Sequence, residues 1–133
     1  MIGRNDPLSL AKTRKVTFGS TLSESFTIEK QLDEELLERA AEFWRKRNLS
    51  IKRKTLAKST EGETVMGTLV AEGGTIWTID IDQYRKAVSA SMIGTGNMVE
   101  VFVHMELIGA FMSEKDKRKA MDLLEAFQDE LSQ

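Results

Sequence analysis

An α+β sandwich of two layers is the fold this sequence predicts, and three observations carry it. Between Ile51 and Leu107, segments rich in β-branched and apolar residues are punctuated by glycine turns at Glu61-Gly62, Gly73-Gly74 and Gly94-Thr95-Gly96-Asn97. Strands joined this tightly run antiparallel, so the stretch reads as a meander. An amphipathic helical pattern precedes the meander and another follows it. Two apolar helix faces need one sheet face to bury them. The expected order is therefore β-α-β(4-5)-α, a curved antiparallel meander sheet with both helices on one face.

Taken in chain order, residues 1–14 hold few bulky apolar side chains and read as a flexible tail, with a helical turn from Leu8 to Lys12 as an option. Residues 15–133 read as one domain. From Val16 to Ile28 the even positions place Val16, Phe18, Leu22, Phe26 and Ile28 on one face of an extended chain. That length calls for an interruption, at Gly19-Ser20 or Ser23-Glu24-Ser25. Asp33 then suits an N-cap, with Leu32 and Leu37 spaced as a hydrophobic staple. Leu36, Leu37, Ala40, Ala41, Phe43 and Trp44 form the apolar face of a helix over 34–47. Acids open this helix and bases close it, which complements its dipole. Asn48 suits the left-handed position after the last turn.

The meander strands are expected at 50–59, 64–71, 75–81, 85–93 and 98–107. Inward stripes are read from Trp77, Ile79 and Ile81, and from Val99, Val101, Val103, Met105 and Leu107. The segment 82–93 is compatible with strand or helix. Ser113 and Asp116 give the S-x-x-D pattern of a capping box, opening a helix over 114–131 that buries Ala120, Leu124, Phe127 and Leu131. This order of elements resembles the TBP-like fold and, more loosely, the helix-grip fold. The resemblance implies an architecture and no activity.

The chain has 133 residues, enough for a real core, and a formal net charge of -2, which gives no global pull toward nucleic acid or an anionic membrane. With no cysteine, disulfides, thiolate metal sites and cysteine nucleophiles are excluded. No segment approaches the ~20 apolar residues of a membrane span, and no apolar run of signal-peptide length opens the chain, so a cytoplasmic protein without membrane contact is expected.

The sequence offers little for catalysis. His104 is the single histidine and reads as a strand residue facing away from the valine stripe. Asp80-Ile81-Asp82 could hold a hard cation, but a capping or turning role for Asp82 is the simpler expectation. Gly94-Thr95-Gly96 lacks the lysine and spacing of a phosphate loop. Ser89 and Ser91 have no evident base. No metal and no cofactor are expected.

Two surfaces stand out instead. The basic residues Arg45, Lys46, Arg47, Lys52, Arg53, Lys54 and Lys58 fall in a stretch that contains no acid, and would cluster where the first helix meets the meander. Such a patch attracts phosphates. It also suits an edge strand that resists pairing. The second surface is the sheet face away from the helices. It is expected to carry Met66, Val70, Ile76, Val88, Met92, Met98 and Phe102 beside Thr68, Thr78, Glu100 and His104, a half-apolar layer with nothing in the chain to cover it.

The function expected is a non-catalytic binding or interaction domain, acting through that face by self-association or by docking a protein. Its surface residues would be Met66, Val70, Met92, Phe102, His104, Trp77 and Tyr84. Two alternatives stay open. One is an apolar small ligand in a cavity lined by Trp44, Trp77, Tyr84 and Met92. The other is phosphate or nucleic acid at the basic 45–58 junction.

Overall fold

The computed structural model describes residues 21–108 and 113–133, together with the backbone of residues 12–16. Two helices pack on an antiparallel sheet in the order β1 (Lys12–Val16), β2 (Thr21–Ile28), α1 (Glu34–Arg45), β3 (Leu49–Lys58), β4 (Thr64–Gly73), β5 (Lys86–Thr95), β6 (Met98–Leu107) and α2 (Glu114–Ser132). Among the described residues the sheet has six strands in the order β1-β2-β6-β5-β4-β3, open, with β1 and β3 at its edges. The α+β class and the two-layer arrangement expected from the sequence hold. Of the tail expected over residues 1–14, residues 1–11 lie outside the described residues, and β1 begins at Lys12, within the segment read as tail.

Alternation explains which strand face meets the helices. Along β6, Val99, Val101, Val103, Met105 and Leu107 are buried while Glu100, Phe102, His104 and Glu106 are exposed. On β2 the buried face carries Leu22, Phe26 and Ile28, with Glu24 among them. Above them α1 buries Leu36, Leu37, Ala40, Ala41, Phe43 and Trp44, and α2 buries Ala120, Leu123, Leu124, Phe127 and Leu131. An aromatic cluster joins the layers: Phe127 stands 5.2 Å from both Phe43 and Trp44 and 6.4 Å from Phe26, ring centre to ring centre.

The helix ends are built as their residues require. The Asp33 carboxylate accepts from the Leu36 amide at 2.9 Å. Ser113 and Asp116 form a reciprocal capping box. Asn48 adopts φ 70, the left-handed exit that returns Leu49 to the core. Of the turns, Gly96-Asn97 joins β5 to β6, with Gly96 at φ 61 in the first loop position, the pattern of a type II′ hairpin. Gly94 and Thr95 belong to β5 rather than to that turn.

Two expectations are corrected. The segment 75–81 is no strand. It lies in a loop, 74–85, that leaves the ladder after Gly73 and re-enters at Lys86, its direct partner. Trp77 and Ile79 are therefore not core residues: they are 88% and 97% exposed. The physical reason is competition for backbone amides. The Thr75 and Thr78 hydroxyls accept from the Trp77 and Asp80 amides, and the Asp80 carboxylate accepts from the Asp82 amide, each at 3.0–3.1 Å. Each of these three side chains thus bends the chain locally, taking an amide that a ladder would otherwise use. Second, β5 faces the opposite way to that expected, so Val88 and Met92 are buried core; the segment 82–93 itself, open between strand and helix, takes the expected strand from Lys86 onward. The pleat of β5 follows from the register Val88↔Met105 and Met92↔Val101, which sets both beside inward partners.

Candidate functional site

Pairing across the sheet builds its open face row by row. One row is Ser23, His104, Ser89, Val70 and Arg53, and the next is Ser25, Phe102, Ser91, Thr68 and Thr55. A third runs Thr27, Glu100, Ile93, Met66 and Ala57. Hydroxyls dominate. Met66 and Phe102 are exposed but lie two strands apart, with Ser91 and Ile93 of β5 between them. Of the seven surface residues expected on this face, Met66, Val70, Phe102 and His104 are there. Met92 is in the core, and Trp77 and Tyr84 belong to the 74–85 loop.

A shallow depression of about 290 Å³ lies around Phe102 and His104, flanked by Ser23, Ser25, Ser89 and Ser91. Ser23 Oγ and His104 Nδ1 share a hydrogen bond at 2.8 Å. A hydroxyl beside an imidazole meets the first requirement of an activated nucleophile. The others are not met. No carboxylate pairs with the ring among the described residues, and both residues sit in the paired interior of the sheet, where backbone amides serve the ladder rather than an oxyanion. No cluster of His, Asp or Glu suited to a metal ion occurs among the described residues. Asp80 and Asp82 are engaged locally: Asp80 in its turn, Asp82 with Arg47 at 3.8 Å.

Several of the basic residues are engaged by partners of their own. Arg45 and Lys54 both pair with Glu38, whose carboxyl is held below its usual range chiefly by the hydrogen bond from Lys54 and then by that from Arg45. Arg47 lies over the Phe43 ring at 3.7 Å and donates to the Phe43 carbonyl at 2.9 Å. The irregularity in pairing between Ile51 and Arg53 leaves Lys52 without a ladder partner and turns Arg53 to the open face, while Lys54 faces α1. Lys46, Lys52 and Lys58 remain exposed.

The four residues expected to line an apolar cavity are dispersed. Trp44 and Met92 are buried, Tyr84 is half-buried and Trp77 is outside. A groove of about 630 Å³ runs between α1 and α2 and is walled by charged side chains such as Glu35, Glu42, Lys46 and Asp129.

The most exposed large apolar side chains, Trp77 and Ile79, lie at the tip of the 74–85 loop, which the sequence reads as a strand. Ile76, Trp77 and Ile79 project there, and Ile108 stands at the loop's base, its amide donating to the Arg85 carbonyl at 3.0 Å. That base is rigidly built. The Thr75 amide donates to the Gln83 carbonyl and the Arg85 amide to the Thr75 carbonyl, both at 3.0 Å. A side chain at Gly74 would come within 2.6 Å of the Tyr84 carbonyl, so only glycine lets the two ends of the loop meet. Lys86, fully buried, donates to the carbonyls of Asp82 at 3.0 Å and Tyr84 at 2.7 Å. Burial pulls its ammonium down to about 8, against the opposing pull of Asp82 and Asp80.

No protein family model matches this sequence, and no curated protein is significantly similar to it. No helix among the described residues is long and apolar enough to cross a membrane.

Proposed function

We propose that this chain is a non-catalytic interaction domain whose contact surface is the 74–85 loop, with Trp77 and Ile79 as the side chains that dock. The observation that carries the reading is the near-complete exposure of those two residues on a loop whose base is stapled by a buried lysine. Burying an exposed side chain of this size is worth roughly 1.5–3 kcal/mol. Aromatic residues held rigid in advance are the usual centres of binding energy in interfaces. The open sheet face, hydroxyl-rich as it is, serves the reading less well.

A photo-cross-linking amino acid installed in living cells tests it. At position 77 or 79 it should give covalent protein adducts. At position 102 on the open face, and at Glu61 in the opposite hairpin, it should give few. Adducts at 102 with none at 77 would return the contact surface to the sheet.

A further inference from the structure

Beyond the docking loop, we propose a second and separate site: the depression around Phe102 and His104 binds a neutral monosaccharide, its ring stacked on Phe102 and its hydroxyls bonded to the serines and the histidine. Sheet pairing builds this hollow. Phe102 stands between Ser25 and Ser91, its direct partners on β2 and β5, and His104 stands between Ser23 and Ser89. Two rings thus lie in a frame of four short side chains. Aromatic or β-branched neighbours across the strands would cover such a ring and stabilise the pairs. Serines do not: Phe102 is left 46% exposed, in a hollow of about 290 Å³. Serine is also no strong strand former, since its hydroxyl competes for backbone groups. Four of them in the paired interior of a sheet, around an uncovered ring, set local preference against the fold. Such conflicts between levels are expected at functional sites.

The lining selects the ligand. A hydroxyl both donates and accepts, so serines match a partner that itself presents hydroxyls. Ser23 Oγ holds His104 Nδ1 at 2.8 Å, which orients the imidazole and leaves Nε2 for a ligand. Charge narrows the class. No lysine or arginine lines the hollow among the described residues, and Arg53, in the same row as His104, lies two strands beyond Ser89. Along β6 the open face runs Glu100, Phe102, His104, Glu106, so a carboxylate stands at each end. Those acids repel phosphates and nucleic acid, and they accept from neutral hydroxyls. Cages for organic cations are built from several aromatic faces, and the hollow offers Phe102 alone. Size narrows the class further. Pockets for drug-sized ligands hold about 300–1,000 Å³, so this one suits a single sugar ring, apolar on the face against Phe102 and polar at its rim.

Amide chemical-shift mapping of the full chain, titrated with D-glucose, D-galactose or D-mannose to about 100 mM, covers the roughly millimolar strength expected of so small a ligand. At least one of the sugars should shift the amides of residues 23–25, 89–91 and 102–104 saturably and leave 76–79 unmoved. Phe102→Ala should weaken that binding by about tenfold or more, and Phe102→Tyr should retain it. Ser91→Val separates binding from folding. It fills the hollow with a better strand former, so the melting temperature should hold or rise while the sugar-induced shifts are lost. Circular dichroism of each variant checks that the fold is retained.

No saturable shift with any of the sugars would overturn the inference, as would binding that survives Phe102→Ala or Ser91→Val. Shifts around Phe102 produced by sodium phosphate and by none of the sugars would overturn it in favour of an anion site. Sugar-induced shifts confined to the 74–85 loop would overturn it as well. None of these outcomes bears on the docking loop, whose cross-linking test reads positions 77 and 79.

Discussion

Trp44 is fully buried at the centre of the aromatic cluster, yet its indole Nε1 has no hydrogen-bond partner. An orphaned buried donor costs about 1–3 kcal/mol. Trp44→Phe removes that donor along with part of the ring, so the two effects oppose. It should destabilise the protein by only about 1–2 kcal/mol, whereas Phe127→Ala, a plain cavity in the same cluster, should cost about 3–5 kcal/mol. Urea unfolding of both variants checks the ranking. Trp44→Phe also leaves Trp77 as the single tryptophan, whose fluorescence then reports the loop. Gly94 makes a different demand: a side chain there would come within 2.6 Å of Leu32 Cβ. Gly94→Ala should therefore cost about 1–3 kcal/mol by overpacking, seen as a lower melting temperature. Residue-level facts of this kind divide sharply in how far the sequence discloses them. The burial of Trp44 is legible, because it falls on a helical stripe. The burial of Lys86 is not, because a lysine is read as solvent-facing and only its two carbonyl acceptors make the interior tolerable.

Elements with strong periodicity and chemical end signals were readable: α1 and α2 lie within two residues of their expected bounds, and β6 alternates as expected. The 74–85 loop was misread because Trp77, Ile79 and Ile81 alternate as a strand does, while the threonine and aspartate side chains that break the ladder are ordinary residues in a strand. The inverted face of β5 was missed for a related reason: Val88, Ala90 and Met92 alternate correctly, but alternation alone does not say which set points inward.

At this scale Lys86 is the loop's staple. Lys86→Met leaves the Asp82 and Tyr84 carbonyls without their donor. Amide exchange over residues 76–84 should quicken selectively, by more than that of β6. The lysine also links stability to pH. Its folded value of about 8 lies below the ordinary 10.5, so between those two the unfolded chain binds more protons. The contribution of Lys86 to stability should therefore rise as pH increases from about 8 toward 10.5, and below 8 its burial penalty is felt in full. Urea midpoints at pH 7, 9 and 10.5 should show this rise in the wild type beyond that in Lys86→Met. Equal pH dependence in the two would remove Lys86 as its source.

Across the whole molecule, topology gives the two ends of the sandwich unlike characters. At one end the β3–β4 and β5–β6 connections are short, polar hairpins; at the other, the loop from Gly74 to Arg85 carries Ile76, Trp77 and Ile79 into solvent. The β3 edge of the sheet resists pairing, since it is lysine-rich and irregular at Lys52. The open face mixes serine and threonine with the exposed Met66, Met98 and Phe102, while the loop end carries the most exposed apolar side chains, Trp77 and Ile79. Oxidative footprinting measures this directly, because Trp77, Met66 and Met98 are all reactive and all exposed in the isolated chain. Comparing labelling in living cells with that of the dilute purified protein, Trp77 should be strongly protected while Met66 and Met98 change little. Protection of Met66 and Met98 with Trp77 left open would contradict docking through the loop.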